Sequence, residues 1–149
     1  MRLNEIYGQY RDQVRFYFIY IREAHPDDGW RVPENLRQNI RFREPRSDAE
    51  RTAVATVCQI NLDLQMPMLV DAIDNSVEES YIALPMRLYL IGRDGKIVYT
   101  GERGPFGFNP DTWEEAIRAE IGIAAEQARP MHRLELAASH SSVNPPSSR

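Results

Sequence analysis

The sequence is poor in the residues that build disulfides and metal sites. It contains one cysteine, Cys58, and three histidines that lie far apart. One cysteine excludes an internal disulfide, a Cys-x-x-Cys redox pair and a multi-cysteine zinc site within these residues, so no bound metal is expected. A single cysteine also suits a reducing compartment, and the expected location is cytoplasmic.

Long apolar runs and basic patches are also absent. The longest apolar run, at 16–21, is much too short to span a bilayer, and the first residues lack the apolar core of a signal peptide. The formal net charge is −4, and the arginines are scattered among acidic residues. These features argue against a membrane or a nucleic acid as partner and favour small molecules or proteins.

The residues that are present form the pattern of one α/β domain. The length of 149 residues and the 42% hydrophobic content suit a single core. Apolar spacing predicts helices and strands. The helices are expected at 2–13, 47–61, 75–84 and from 110, with caps at Ser47 or Asp48, at Asn75 or Ser76, and at Asn109. The strands are expected at 14–21, 39–42, 67–71, 86–91 and 97–100, and the apolar residues of the first strand predict burial on both of its faces. This order predicts the closing hairpin and helix of a thioredoxin-like fold over residues 1–128, followed by a disordered tail at 129–149.

Four sequence motifs follow one another along the chain. They are REAHPDDGW at 22–30, VDAIDN at 70–75, YIALPMRLY at 81–89 and GKIVYTGERGPFGFNP at 95–110. In this order and spacing they resemble the iodothyronine deiodinase family, including its bacterial deiodinase-like members. The resemblance covers most of residues 1 to 120. It implies a thioredoxin-like fold, with a mixed sheet flanked by helices, and reductive dehalogenation.

The resemblance also implies that the attacking atom lies outside these residues. In the family a selenocysteine or cysteine attacks a halogen on an aromatic ring, because the attacking atom must be anionic and polarisable, and external thiols regenerate it. That residue precedes the first helix, so we expect it upstream of Met1, where a selenocysteine codon read as a stop would have restarted the reading frame. The expected partners are a small aromatic substrate and a thiol reductant, with a possible homodimer and no bound cofactor.

A missing upstream segment has a structural consequence. In a thioredoxin-like sheet the first strand is central and would lie between the strands at 15–21 and 86–91. Its absence splits the sheet and leaves two unpaired edges. Each unsatisfied buried backbone group costs about 1–3 kcal/mol, against a domain stability of about 5–15 kcal/mol. We therefore expect the 149-residue chain to fold poorly alone.

The loop after the first predicted strand carries the candidate catalytic residues. His25 can move a proton near neutral pH, and Glu23 can orient it or stabilise its charge. An ordinary loop histidine is the alternative. Asp28 is expected to bind backbone amides in an Asx-turn, and Trp30 to pack against the loop or an aromatic ligand. For both residues a structural role is the alternative.

Three further residues are singled out. Arg103, in ERGPFG, matches a family position near the substrate pocket and can pair with a carboxylate or phenolate, although a solvated turn arginine fits equally. Pro85 matches the cis-proline of the thioredoxin fold, which lies against the redox centre. Cys58 shares a helix face with Val54 and Val57, and we expect a buried, inert thiol.

The sequence also departs from the family. Asp27 stands where many relatives have serine, Phe106 where tryptophan is frequent, and residues 32–61 lack the histidine with which animal deiodinases grip the phenol of the hormone. These differences leave open another halogenated aromatic, a disulfide or a peroxide as substrate. A hypothesis from a different class is a noncatalytic thioredoxin-like module that binds a ligand or partner through the loop at 22–30.

Overall fold

The helices and strands follow the predicted α/β order. A computed structural model describes residues 1–23 and 43–127, with side chains through residue 122. In chain order the elements are α1 (Arg2–Tyr10), β1 (Phe18–Tyr20), α2 (Asp48–Asn61), β2 (Met68–Val70), α3 (Ser76–Tyr81), β3 (Tyr89–Ile91), β4 (Ile97–Thr100) and α4 (Pro110–Gln127). The strand predicted at 39–42 and the tail predicted at 129–149 lie outside the described residues.

Two of the predicted helix caps are confirmed with their side-chain hydrogen bonds, and the third, Asn75, stands at the N-cap position without one. The Ser47 hydroxyl accepts a hydrogen bond from the Glu50 amide, and the Asn109 side chain accepts one from the Asp111 amide. Asn75 has a φ of 61° and makes no side-chain cap to α3. Helix α3 ends at Tyr81, short of the predicted residue 84, because Ile82 adopts a left-handed conformation with a φ of 51°.

The strands form two separate pairs. Strand β1 runs parallel to β2, with Ile19 opposite Leu69, and β3 runs antiparallel to β4, with Leu90 opposite Tyr99. Within the described residues no hydrogen-bonded ladder joins the two pairs. This arrangement agrees with the predicted split of the sheet, and it leaves β1 and β3 each paired on one side only.

The core lies where α1 and α4 meet one face of both strand pairs. Its buried side chains are Leu3, Ile6, Tyr10, Phe16, Met66, Leu90, Trp113 and Ile117. Helix α1 supplies the first three at the predicted helical spacing, and each fully buried side chain of this size stabilises the fold by about 1.5–3 kcal/mol. Phe16 contacts Trp113 edge to face, with ring centroids 5.6 Å apart, so the segment before β1 is tied to α4.

The opposite face of β1 is uncovered in the described part of the chain. The prediction that β1 is buried on both faces is therefore wrong. Phe16 and Tyr20 are buried, whereas Tyr17 is 53% exposed and Ile19 40% exposed. Successive strand side chains point to opposite faces, and only one of these faces meets the α1–α4 core.

A buried carboxylate joins α1 to α4. Glu114 is 4% exposed and accepts hydrogen bonds from the Tyr10 hydroxyl at 2.9 Å and from Arg118 Nη2 at 2.7 Å. Arg2 binds the other carboxylate oxygen and also donates to Asp111. The hydrogen bonds from Arg118 and Tyr10 lower the pKa of the Glu114 carboxyl. The contact between the two helices therefore depends on an ionised Glu114.

Candidate active site

A cavity of about 570 Å³ lies at the carboxyl ends of β1 and β2. This end of a parallel strand pair is where α/β proteins commonly bind ligands. The described lining residues follow β1 or β2, precede α2, lie in its first turn or precede Pro85: Arg22, Glu23, Glu44, Pro45, Arg51, Ile73, Asn75 and Leu84. Glu23 is thus placed in a concave site, and Leu84 brings the segment before Pro85 to the same cavity.

Arg51 organises one wall of the cavity. Its side chain is 1% exposed, with Nη1 donating to the Ala72 carbonyl at 2.6 Å and Nη2 to Asn75 Oδ1 at 2.8 Å. Asp48, also in the first turn of α2, accepts a hydrogen bond from the Ile73 amide at 2.7 Å. The start of α2 is therefore fastened to the chain that leaves β2. Nothing in the sequence reasoning singled out Arg51, although it precedes the buried Ala55 by one helical turn.

Two buried carboxylates, Asp71 and Glu78, lie behind the residues that line the cavity. Asp71 accepts hydrogen bonds from the amides of Val77 and Glu78 at 3.1 and 2.9 Å, and so supplies the cap that Asn75 does not. The Glu78 carboxylate lies 3.1 Å from Arg22 Nε, as an ion pair whose atoms are not aligned for a hydrogen bond. Arg22, at the end of β1, is thereby joined to α3.

The turn that carries Arg103 lies beside Pro85. The Leu84–Pro85 bond is cis, as the resemblance implies, and the Gly104–Pro105 bond, which was not predicted, is cis as well. The Gly104 amide donates to the Met86 carbonyl at 2.9 Å. A side chain on Gly104 would collide with that of Met86, so a larger residue there requires the Met86 side chain or the turn to shift. Arg103 itself is exposed and makes no ion pair with another described residue.

Cys58 is half-buried, so the prediction of a buried side chain is wrong in degree. Val57, expected on the same inner face, is 41% exposed, because α2 turns Arg51 and Ala55 inward instead. Burial and the negative charge of Glu23 both raise the pKa of the Cys58 thiol. A thiol in this setting is a poor nucleophile at neutral pH, which agrees with its expected inertness.

Part of the predicted site cannot be compared with the structure. His25, Asp28 and Trp30 lie outside the described residues, so their roles stay predictions. Across residues 1–23 and 43–127, no three histidine, cysteine, aspartate or glutamate side chains are grouped as a metal site would require. No helix in this part of the chain is long and apolar enough to cross a bilayer.

The sequence of this chain matches one family model and several known proteins. The family model described as iodothyronine deiodinase matches residues 2–119. The type I iodothyronine deiodinase of Xenopus laevis is 33% identical over 108 residues, which cover 72% of this chain and 40% of that protein. The thyroxine 5-deiodinase of Sparus aurata is 35% identical over 132 residues, or 85% of this chain and 46% of that protein. The chain thus spans less than half the length of these relatives.

Proposed function

The chain belongs to the iodothyronine deiodinase family, and we propose from that premise that it is part of a thiol-dependent reductive dehalogenase with a thioredoxin-like fold. The substrate class is an iodothyronine-like or other halogenated aromatic. The selenocysteine or cysteine nucleophile belongs to a segment upstream of Met1. The observation that carries the proposal is the family match over residues 2–119, which contains every candidate site residue.

The site residues have distinct roles in this reaction. His25 exchanges a proton with the substrate, and Glu23 orients His25 or stabilises its charge. Arg103 pairs with an acidic group of the substrate, and its exposed position beside Pro85 leaves its guanidinium accessible. In the net reaction a carbon–halogen bond is replaced by a carbon–hydrogen bond and halide leaves. Two thiols of the external reductant supply the electrons and become a disulfide, so the reaction balances.

The unpaired edges of β1 and β3 support a thioredoxin-like arrangement. Each of these strands is hydrogen-bonded to one neighbour in the described residues, β1 to β2 and β3 to β4. A central strand from an upstream segment would pair with both and give one mixed sheet. In this arrangement the upstream strand ends close to Pro85 and the cavity that Glu23 lines. We further propose a cytoplasmic protein that forms a homodimer.

The test begins with the DNA upstream of the codon for Met1. We expect an in-frame TGA or cysteine codon followed by a Pro-Pro-Phe-like sequence within a few dozen codons. The restored protein is then incubated with a halogenated phenol and dithiothreitol, and halide release is measured. Replacement of the nucleophile by serine should abolish release, and His25→Ala should reduce it by about 10²–10⁴-fold, the usual contribution of a general acid or base.

Other outcomes separate the remaining hypotheses. Halide release by the 149-residue chain itself would show that Cys58 is not inert and that no upstream nucleophile is needed. Reduction of a disulfide or peroxide without halide release would favour a thiol or peroxide reductase of the same fold. The absence of an upstream cysteine or TGA codon would favour the noncatalytic binding module.

A further inference from the structure

The Arg22–Glu78 ion pair links the two segments from which the proposed site is built. Arg22 follows β1 and directly precedes Glu23, whereas Glu78 lies on α3, which leads through Ile82 to the cis Leu84–Pro85 bond. The Glu78 side chain is 7% exposed, and among the described residues Arg22 is the cation paired with it, with Nε and Oε2 3.1 Å apart. A buried carboxylate needs such a countercharge, so the ion pair ties the half-buried Arg22 side chain to α3.

Helix α3 is itself well anchored. Asp71 binds its first amides, and Arg51 fixes the Ala72 carbonyl and the Asn75 side chain just before it. These hydrogen bonds fix the backbone that carries Glu78, whereas the backbone of a surface loop would be free to move. Surface ion pairs contribute little, but a pair with one member buried and its backbone anchored restricts the position of the other.

We infer that Arg22 and Glu78 are positioning residues, which hold Glu23 at the cavity beside Leu84 by fixing the chain immediately before it. The effect of this pair on catalysis rests on the proposed function, whereas the position of Glu23 rests on the structure. Arg22, Glu23 and Leu84 line the same cavity. Among the described residues, the remaining charged groups that line it are Glu44 and Arg51, so these residues give Glu23 neighbours of both charges.

The Cys58 thiol reports the position of Glu23 without any catalytic assay. The Glu23 charge raises the pKa of this thiol, which is the only cysteine in the sequence. In the restored protein, with its upstream cysteine and selenocysteine residues replaced by serine so that Cys58 is the thiol that reacts, Glu23→Gln should therefore speed alkylation of Cys58 by iodoacetamide at pH 7.5 by about threefold. If the ion pair holds Glu23 in place, Glu78→Gln should produce most of the same acceleration. Glu79→Gln, which changes an exposed neighbour on α3, should produce none.

A double variant distinguishes positioning from general loosening of the fold. If Glu78 acts through Glu23, the Glu23→Gln/Glu78→Gln chain should react no faster than Glu23→Gln alone. If instead the double variant's alkylation rate equals the product of the two single accelerations, Glu78→Gln merely exposes Cys58, and the inference is overturned. A wild-type rate of Cys58 alkylation in Glu78→Gln would overturn it as well. Arg22→Met, which removes the other partner, should match Glu78→Gln, whereas Arg22→Lys should stay close to wild type.

Activity gives an independent second measurement. In the restored protein, Glu78→Gln should lower kcat for halide release about tenfold and change KM little, since Glu23 assists the proton step and not binding. If Glu78→Gln speeds Cys58 alkylation as expected but leaves kcat unchanged, the pair positions Glu23 without contributing to catalysis, and that part of the inference is overturned. If the restored wild-type protein releases no halide, the proposed function fails, while the alkylation rates still decide whether Arg22 and Glu78 position Glu23.

Discussion

The indole nitrogen of Trp113 donates a hydrogen bond to the main-chain carbonyl of Tyr89 at 2.8 Å. Trp113 thus connects α4 to β3, while its ring packs edge to face against Phe16 before β1. Neither strand pair hydrogen-bonds to the other in the described residues, so the two pairs are joined through the shared core to which this side chain belongs.

Trp113→Phe should therefore destabilise the protein more than its change in size suggests. The ring contact with Phe16 is largely kept, but the Tyr89 carbonyl loses its partner, which should cost about 1–3 kcal/mol. Urea unfolding followed by circular dichroism measures the loss. Phe106→Leu is the control, because Phe106 is fully exposed and its replacement should change stability by less than about 0.5 kcal/mol. Equal stability of the two variants would contradict a structural role for the indole hydrogen bond.

Glu114 should make the stability of the protein sensitive to acid. Its carboxyl has a lowered pKa in the folded protein, so its contribution is fully present above the unfolded-state pKa of about 4.3 and is lost as pH falls through the folded pKa. Thermal unfolding at a series of pH values should show this loss in the wild type. Glu114→Gln should be less stable at neutral pH, and its unfolding temperature should depend less on pH in the acid range. Glu115→Gln, at an exposed neighbouring position, should keep the wild-type pH profile.

Gly104→Ala should destabilise the turn that carries Arg103. The added methyl group would collide with the Met86 side chain, at a cost of about 1–3 kcal/mol if the turn has to move. Gly122→Ala is the matched control, because open space surrounds that position in α4 and alanine favours a helix by about 0.8–1 kcal/mol. The two variants should thus shift the urea midpoint in opposite directions. Met86→Ala should partly rescue Gly104→Ala.

Ile82→Gly should stabilise the protein despite the loss of a side chain. Ile82 is 58% exposed and has a φ of 51°, a conformation that costs an L-residue about 1–2 kcal/mol relative to glycine. The expected net gain is about 1 kcal/mol, measured by urea unfolding. Ile60→Gly is the contrast, because Ile60 is exposed within α2 and glycine there should cost about 0.5–1 kcal/mol. A loss of stability in Ile82→Gly would mean that its side chain packs usefully.

The sequence predicts best what depends on neighbouring residues. The spacing of Leu3, Ile6 and Tyr10 predicts the buried face of α1, and the caps at Ser47 and Asn109 follow from local hydrogen bonding. The split between the strand pairs follows from the family resemblance. Strand β4 has the predicted bounds, whereas β1, β2 and β3 are each three residues long and shorter than predicted.

The candidate site was only half predictable for the same reason. Glu23, Pro85 and Arg103 stand in recognisable motifs. Buried charged residues are harder to predict, because they are rare and hydrophobic periodicity assigns every charged residue to the surface. Arg51 and Glu78 are buried beside partners that are distant in the sequence, the Ala72 carbonyl for one and Arg22 for the other. Such pairings bring together residues more than twenty positions apart. Sequence patterns within one helix or strand carry no signal of them.

The uncovered strand face and edge at β1 have a practical consequence for handling the chain. Ile19 and Leu69 form an exposed apolar pair, beside an edge of β1 without a strand partner in the described residues. Apolar edge strands recruit other strands, including those of identical molecules. Turbidity and loss of soluble material should therefore rise steeply with the concentration of the 149-residue chain, and a fused solubilising domain or low working concentrations will be needed to study it.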